Sequence, residues 1–155
     1  MDLVYDLVNS ANIGNIKRVQ NLLDSGVDIN AQIYNGDTAL IVASKSDHID
    51  VVQLLLDRGA DPNIEDNINR RTPLIWASIN KYRKVNQVLF EFGAVIDYKD
   101  INGRTALFYA VKNKDIKTVE GLLKAGANVS MGDKTGMGPV ALAKAMGNQK
   151  MVRLL

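Results

Sequence analysis

The residues that could carry out catalysis or bind a metal are few and scattered along this 155-residue chain. There is a single histidine, His48, and no cysteine, so neither a thiolate nucleophile nor a cluster of His and Cys metal ligands can form. A catalytic pair would need a second group held beside His48, and no Ser-His-Asp arrangement is visible. The sequence therefore predicts no enzymatic activity, no metal and no cofactor, and a structural role for His48.

Residues 136–141 read Gly-Met-Gly-Pro-Val-Ala and match a degenerate dinucleotide-binding fingerprint, Gly-x-Gly-x-x-Ala. That fingerprint binds a nucleotide only when it follows a β-strand and opens the helix of a βαβ unit. Here the stretch aligns instead with a turn that recurs throughout the chain. We therefore interpret it as part of a structural repeat.

Composition is that of a soluble folded chain, with 46% apolar and 23% charged residues. No basic residue precedes the first apolar positions, so no secretory signal is predicted, and no apolar run is long enough for a membrane span. The net charge of +2 hides an asymmetry: residues 1–65 carry ten acids and four bases, and residues 66–155 carry seven acids and fifteen bases. Such asymmetry can indicate a surface for a partner. We expect a cytoplasmic protein.

Four glycines recur at nearly constant spacing, each after a pair of large apolar residues: Gly26, Gly59, Gly93 and Gly126, separated by 33, 34 and 33 residues. Three of them follow a threonine by 21 residues, namely Thr38, Thr72 and Thr105, and Gly138 takes the place of a fourth threonine. Each unit predicts a turn, a short helix capped by the threonine, a second helix with an apolar stripe, and a glycine in the left-handed conformation that ends it.

These units closely resemble the ankyrin repeat, with its 33-residue period, its Thr-Pro-Leu opening and its Leu-Leu…Gly-Ala-Asp close. Only Thr72-Pro73-Leu74 keeps the full opening, and the histidine that usually follows it is replaced by an apolar residue throughout. The resemblance implies an all-α solenoid of helix-turn-helix units with β-hairpin-like fingers, in one domain over residues 1–155. We place the repeats at about 1–32, 33–65, 66–99, 100–132 and 133–155.

Two repeats depart from the pattern. The third is one residue longer, and Arg70 stands where its neighbours have Gly36 and Gly103, which predicts a finger of different shape. The last stops before any glycine, so we expect Met151, Val152 and Leu155 to be partly uncovered, and expect that the natural chain continues or that this end pairs with a second copy. Otherwise a monomer is expected.

The resemblance implies that a partner protein binds the concave side, formed by the finger tips and the exposed parts of the first helices. The residues it places there are Tyr34, Asn35, Asp37, Lys45, Ile68, Asn69, Arg71, Trp76, Ile79, Ile101, Asn102, Arg104, Tyr109, Lys112 and Met137. Trp76 and Tyr109 occupy equivalent positions and would serve either as binding anchors or as filling between repeats. Tyr34, Ile68, Ile79 and Ile101 have no evident structural reason to be apolar there.

Arg71, Arg104 and Lys112 predict a basic groove for an acidic partner, with Asp37 repelling that partner at the other end. Reversing Arg71 and Arg104 to Glu is expected to slow binding with little change in melting temperature. Asp61, Asp97 and Asp100 are expected to be solvated turn residues.

The leading hypothesis is a non-catalytic adaptor or scaffold. The alternatives are an inhibitor that occludes an enzyme and the recognition arm of a longer multidomain protein, such as a host-directed effector acting in the host cytoplasm. The chain lacks the aromatic stacking platform typical of nucleic-acid binding, so a nucleic acid is not an expected partner. A membrane is not expected either, because no apolar run is long enough to cross one.

Overall fold

The computed structural model describes residues 2–155, and within this part of the chain it contains ten α-helices and no β-strand. The helices are α1 (Leu3–Asn12), α2 (Ile16–Asp24), α3 (Ala39–Lys45), α4 (Ile49–Asp57), α5 (Pro73–Asn80), α6 (Arg83–Glu91), α7 (Ala106–Lys112), α8 (Ile116–Lys124), α9 (Pro139–Ala145) and α10 (Gln149–Leu154). They form five antiparallel pairs, and each pair lies inside one of the predicted repeat segments, whose bounds stay predictions. The predicted all-α solenoid is confirmed.

The helices lie in two layers. The first helices of successive pairs, α1, α3, α5, α7 and α9, pack on one another in chain order, and the second helices α2, α4, α6 and α8 do the same outside them. One leucine recurs at the same place in the first helices, and Leu7, Leu40, Leu74 and Leu107 are all at most 1% exposed. The core is therefore a continuous column of apolar side chains, to which each repeat adds one layer.

Both predicted helix signals are present in the structure. The hydroxyl oxygens of Thr38, Thr72 and Thr105 accept hydrogen bonds from backbone N–H groups three residues later, at 3.1, 3.5 and 3.4 Å. At the other end of each repeat the four stop glycines have φ between +80° and +91°. Few side chains adopt this conformation without strain, which explains why glycine recurs there.

The fingers are joined to one another as well as closed on themselves. Each finger closes through a backbone hydrogen bond across its base, such as Ile33 N–H to the Asp37 carbonyl oxygen at 3.1 Å. Between fingers, the N–H groups of Asn67, Ile101 and Lys134 donate to the carbonyl oxygens of Asn35, Asn69 and Asn102, at 3.0, 2.8 and 2.9 Å. This ladder fixes the spacing of the finger tips.

A second row of hydrogen bonds joins the repeats near the ends of the outer helices. The side-chain oxygens of Asn30, Asn63 and Asp97 accept from backbone N–H groups of the following repeat, at 2.9, 2.7 and 3.0 Å. His48 has the expected structural role, because its Nε2 lies 2.9 Å from the carbonyl oxygen of Asn12 in the preceding repeat.

One detail at the C-terminal end differs from expectation, and one detail of the third finger agrees with it. Met151 is fully buried rather than partly uncovered, since it packs into the core, whereas Val152 and Leu155 are half-buried against that core. Arg70 takes the left-handed conformation, with φ of +54°, and its N–H bonds to the carbonyl oxygen four residues earlier. The corresponding bonds of Gly36 and Gly103 reach only three residues back, so the third finger has the predicted different shape.

Within residues 2–155 no helix is long and apolar enough to cross a membrane.

We expect Gly59→Val to lower the free energy of unfolding by more than about 1 kcal/mol, because a β-branched residue is strained at positive φ. A built Cβ at Gly59 meets no atom within 4 Å, so the cost would come from the backbone alone. Urea denaturation followed by circular dichroism measures it. The control is Gly121→Ala in α8, where the added methyl makes an ordinary 3.5 Å contact with Phe90. Equal stability of Gly59→Val and the wild type would contradict the role of this glycine.

Candidate functional site

The inner face is defined here as the finger residues together with the exposed parts of α1, α3, α5, α7 and α9. All fifteen predicted site residues belong to fingers or first helices, but their exposure varies widely. Tyr34, Ile68, Ile101, Asn102 and Lys112 are exposed; Asn35, Lys45, Asn69, Arg71, Trp76, Ile79, Arg104 and Met137 are half-buried; Asp37 and Tyr109 are buried. The predicted set therefore contains exposed residues that a partner could contact and buried residues that hold the fingers in place.

Asp37 is only 6% exposed and forms an ion pair with Lys45 of α3. Its carboxylate also accepts a hydrogen bond of 2.9 Å from the side-chain amide of Asn35. The Lys45 ammonium lies 4.5 Å from the ring centroid of Trp76 in the next repeat. Asp37 is therefore a structural acceptor inside the finger, and the expectation that it repels an acidic partner does not fit its burial.

In the third finger Asp66 holds the half-buried tryptophan in place. One oxygen of Asp66 accepts from the backbone N–H groups of Ile68 and Asn69, and the other accepts from the indole N–H of Trp76 at 2.7 Å. Asp66 itself is 2% exposed. The indole N–H of Trp76 is thus hydrogen-bonded inside the finger. The cationic groups of Lys45 and Arg71 lie 4.5 and 4.7 Å from the centroid of its ring.

The fourth finger repeats this arrangement with a tyrosine. Asp100 is buried, contrary to the expectation of a solvated turn residue, and accepts hydrogen bonds from the Tyr109 hydroxyl at 2.6 Å and from Arg71 Nε at 3.3 Å. Arg71 also donates to the Tyr109 hydroxyl at 3.0 Å. Burial raises the pKa of Tyr109, and donation to Asp100 raises it further. Tyr109 is 5% exposed, so it fills the space between repeats and is not a surface anchor.

Arg104 makes the corresponding link to the fifth finger. Its Nε donates to Asp133 Oδ2 at 3.1 Å, and its guanidinium carbon lies 4.9 Å from the ring centroid of Phe108. The pKa of Asp133 is lowered to about 2, because the Thr135 hydroxyl, the Thr135 and Met137 N–H groups and Arg104 all donate to it.

The predicted basic groove therefore differs from the observed one. Arg71 and Arg104 each neutralise a carboxylate of the following finger, and their side chains are only 17% and 31% exposed. Reversing Arg71 to Glu would place two carboxylates together at a buried site, so we expect this substitution to lower the melting temperature instead of leaving it nearly unchanged. Among the predicted bases, Lys112 is the exposed one that forms no ion pair within residues 2–155.

Apolar side chains at the finger tips are the exposed feature of this face. Tyr34, Ile68 and Ile101 are 91%, 63% and 42% exposed and occupy the tips of three successive fingers. Ile79, by contrast, is half-buried and packs against the core, so its apolar character has a structural reason that sequence reasoning missed.

A pocket at the N-terminal end of the inner face was not anticipated. It has a volume of about 220 Å³ and lies between α1 and the second finger, with Tyr5, Val8, Asn9, Ile33 and Lys45 in its lining. Tyr5 is 56% exposed. The sequence contained one indication of this pocket, because Tyr5 lies outside the apolar stripe of α1. The N-terminal repeat, however, has no threonine that would align it with the other repeats.

The buried carboxylates of the inner face, Asp37, Asp66 and Asp100, are engaged by hydrogen-bond donors. Within residues 2–155 no group of three or more His, Cys, Asp or Glu side chains could hold a metal ion. Five helix pairs stacked at a 33-residue period, with joined fingers on one side, define a helical-repeat protein. The sequence matches the family described as ankyrin repeats in three copies, over residues 7–100, 65–133 and 92–155, and the chain belongs to this family. Ankyrin repeats are in general protein–protein interaction modules and are typically non-catalytic.

Several known proteins share part of this sequence. The chain is 35% identical to the ankyrin repeat and KH domain-containing protein mask-1 of Caenorhabditis elegans over 57% of its own length and 3% of that protein. It is 32% identical to putative ankyrin repeat protein FPV222 of fowlpox virus over 61% of its length and 13% of that protein. It is 44% identical to an L-asparaginase of Dirofilaria immitis over 46% of its length and 12% of that protein. The chain thus spans at most 13% of the length of these three relatives.

Because the pKa of Asp133 is lowered to about 2 from an ordinary 3.8, this carboxylate stabilises the fold fully above about pH 4, and the contribution is lost as the pH falls toward 2. We expect the stability difference between wild type and Asp133→Asn to be constant near neutral pH and to shrink over that acidic window. Urea denaturation at a series of pH values measures it. Thr135→Ala, which removes one donor, should shift the window upward; a difference that does not depend on pH would refute the assignment.

Proposed function

We propose that this protein is a non-catalytic adaptor or scaffold that binds a partner protein through its inner face, with Tyr34, Ile68 and Ile101 as the main anchors. The observation that carries the proposal is their combined exposure and fixed spacing. Single exposed apolar side chains are normal on a folded protein, but here three of them lie on successive fingers of one face. Exposed apolar groups clustered on one face are typical of binding surfaces.

The rigidity of the fingers supports affinity. The finger-to-finger hydrogen bonds and the buried Asp66 and Asp100 carboxylates hold the tips before any partner arrives. Little conformational entropy is then lost on binding, so a modest apolar contact yields more net affinity. Trp76 and the Tyr5 pocket extend the apolar surface between the fingers and the first helices.

Charge has a smaller role in this proposal than the sequence predicted. An acidic group on the partner would meet Lys112, while Arg71 and Arg104 would act mainly by holding the fingers together. Asn69 and Asn102 follow the anchors Ile68 and Ile101 in sequence and would form part of the polar rim of the contact, and Met137 of the fifth finger would add an apolar contact. Binding should therefore depend only weakly on salt.

A second candidate function is the recognition arm of a larger protein. The matched region covers only 3% of mask-1 and 12% of the Dirofilaria immitis L-asparaginase, so sequences similar to this chain occur inside much longer proteins. An inhibitor that occludes an enzyme remains the third candidate, and assaying the activity of a captured partner with and without this chain distinguishes it from an adaptor.

We expect the triple variant Tyr34→Ala/Ile68→Ser/Ile101→Ser to bind its partner at least about tenfold more weakly, since exposed anchors of this type each contribute about 1 kcal/mol or more. Its melting temperature should stay close to that of wild type because these side chains face solvent. Partners captured by immobilised wild-type protein from cells of the source organism are compared by quantitative mass spectrometry, and affinity is then measured by calorimetry.

The matched control is Ile13→Ser/Phe92→Ala/Val95→Ser, which removes three apolar side chains that are 61%, 37% and 49% exposed outside the fingers. A partner retained by the control and lost by the triple variant supports the proposal. Equal retention by both variants, or equal loss, would contradict it.

A further inference from the structure

The basic residues of the C-terminal half lie largely on the outer helices, away from the inner face. The outer-helix segments of the first two repeats, residues 14–24 and 47–57, carry two bases and four acids. The equivalent segments of the last three repeats, residues 81–91, 114–124 and 149–154, carry eight bases and three acids. The outer face therefore changes from acidic to basic at α6, which the sequence asymmetry alone could not locate.

A groove opens in this basic part of the outer face, between α6 and α8, with a cavity volume of about 360 Å³. Arg83 lines it from α6, and Lys117 and Lys124 line it from α8, about two helical turns or roughly 10 Å apart along one side of that helix. Phe90 and Gly121 form part of its floor. We name this the outer groove.

Two residues of α6 that line the outer groove are polar where the first, second and fourth repeats are apolar. Asn86 stands at the position of Val19, Val52 and Val119, which are all 0% exposed, and Arg83 stands at the position of Ile16, Ile49 and Ile116. Those isoleucines are partly buried against the core. The fold therefore accepts apolar residues at both positions. The third repeat lacks this apolar packing, because it has Arg83 and Asn86 there.

Asn86 retains an unsatisfied hydrogen-bonding group. It is 1% exposed, its side-chain oxygen accepts from the Ser78 hydroxyl at 3.3 Å, and its Nδ2 has no hydrogen-bond partner within residues 2–155. A buried amide without a partner is destabilising, and valine at this position would remove the cost. A donor kept at the edge of a basic groove is consistent with a negatively charged ligand that completes its hydrogen bonds.

The cations of the outer groove are only partly neutralised. Arg83 pairs with the buried Asp115 at 2.7 Å, yet 58% of its side chain remains exposed. Lys117 pairs with Glu120 at 3.3 Å, and both groups are solvated, so the pair is weak. Lys124 is exposed and forms no ion pair within residues 2–155.

We propose that the outer groove is a second binding site, independent of the inner face, for an acidic peptide segment of a partner protein. Carboxylates of the segment would meet Lys117, Lys124 and the exposed part of Arg83. Its backbone would find hydrogen-bonding partners in the amides of Asn86 and Gln87, and its apolar atoms would contact Phe90. This mixture of cations, amides and an apolar floor matches a peptide better than a phosphate backbone, because a peptide offers carboxylates, backbone amides and apolar side-chain atoms together.

The test measures binding of a fluorescent oligoglutamate peptide at low ionic strength by anisotropy, with oligothymidylate of equal length and phosphatidylserine vesicles as competing probes. Lys117→Gln/Lys124→Gln should weaken peptide binding about fivefold, the effect of removing two partly exposed ionic contacts. The control Lys17→Gln/Lys144→Gln makes the same change in net charge at sites away from the outer groove. It should retain most of the affinity for the oligoglutamate peptide. Equal losses in both variants, or tighter binding of oligothymidylate or vesicles than of the peptide, would overturn the proposal.

A second variant tests the buried amide. Ser78→Ala/Asn86→Val removes Asn86 and its hydrogen-bonding partner together, so it should raise the urea midpoint while it lowers peptide affinity. Higher stability with undiminished peptide binding would show that Asn86 does not serve the groove. Because the inner-face variant Tyr34→Ala/Ile68→Ser/Ile101→Ser should bind oligoglutamate normally, failure of this proposal is distinguishable from failure of the inner-face proposal.

Discussion

A single helix pair of this protein cannot bury its own apolar side chains, and this constraint determines most of the structure. Each pair contributes one layer, with Leu40 or Leu74 at its centre, and that layer is covered only when the next pair packs on it. Stacking requires every repeat to begin and end at the same place. The threonine caps and left-handed glycines meet this requirement, since they fix where each helix begins and where the chain turns away from it.

The fingers follow a related rule, in which polar groups of one repeat are satisfied by the next. Asp100 accepts from Arg71 of the preceding finger, and Asp133 accepts from Arg104 in the same way. A buried carboxylate is tolerated only when donors surround it, so each of these links depends on correct stacking. The result is an inner face whose charges are largely engaged internally and whose exposed tips are apolar. On the outer face Arg83 makes one such link, to Asp115 at the start of α8, whereas Lys117 pairs only with a solvated glutamate and Lys124 is exposed.

Features that recur in every repeat could be predicted from the sequence, whereas contacts particular to one pair of repeats could not. The helix pairs, the caps and the altered third finger follow from spacing and residue type, because local backbone preferences decide them. The burial and pairing of Arg71, Asp37 and Asp100 did not follow from spacing. They depend on which side chain comes within hydrogen-bond distance, in the same repeat for Asp37 and across two repeats for Arg71 and Asp100. Asn86 could have been noticed, because it interrupts a column of valines in aligned repeats. Its missing partner and the groove beside it needed three dimensions.

Trp76 gives the chain an internal optical reporter. It is the only tryptophan, and its ring contacts the ammonium of Lys45 in the repeat before it and the guanidinium of Arg71 in its own. Its indole N–H is held by Asp66. Separation of the second repeat from the third would remove Lys45 from the ring and admit water, changing both emission wavelength and quenching. Fluorescence therefore reports on the contact between the second and third repeats, while circular dichroism averages over the helices of every repeat. A difference between the two signals would show that the stack can open in the middle.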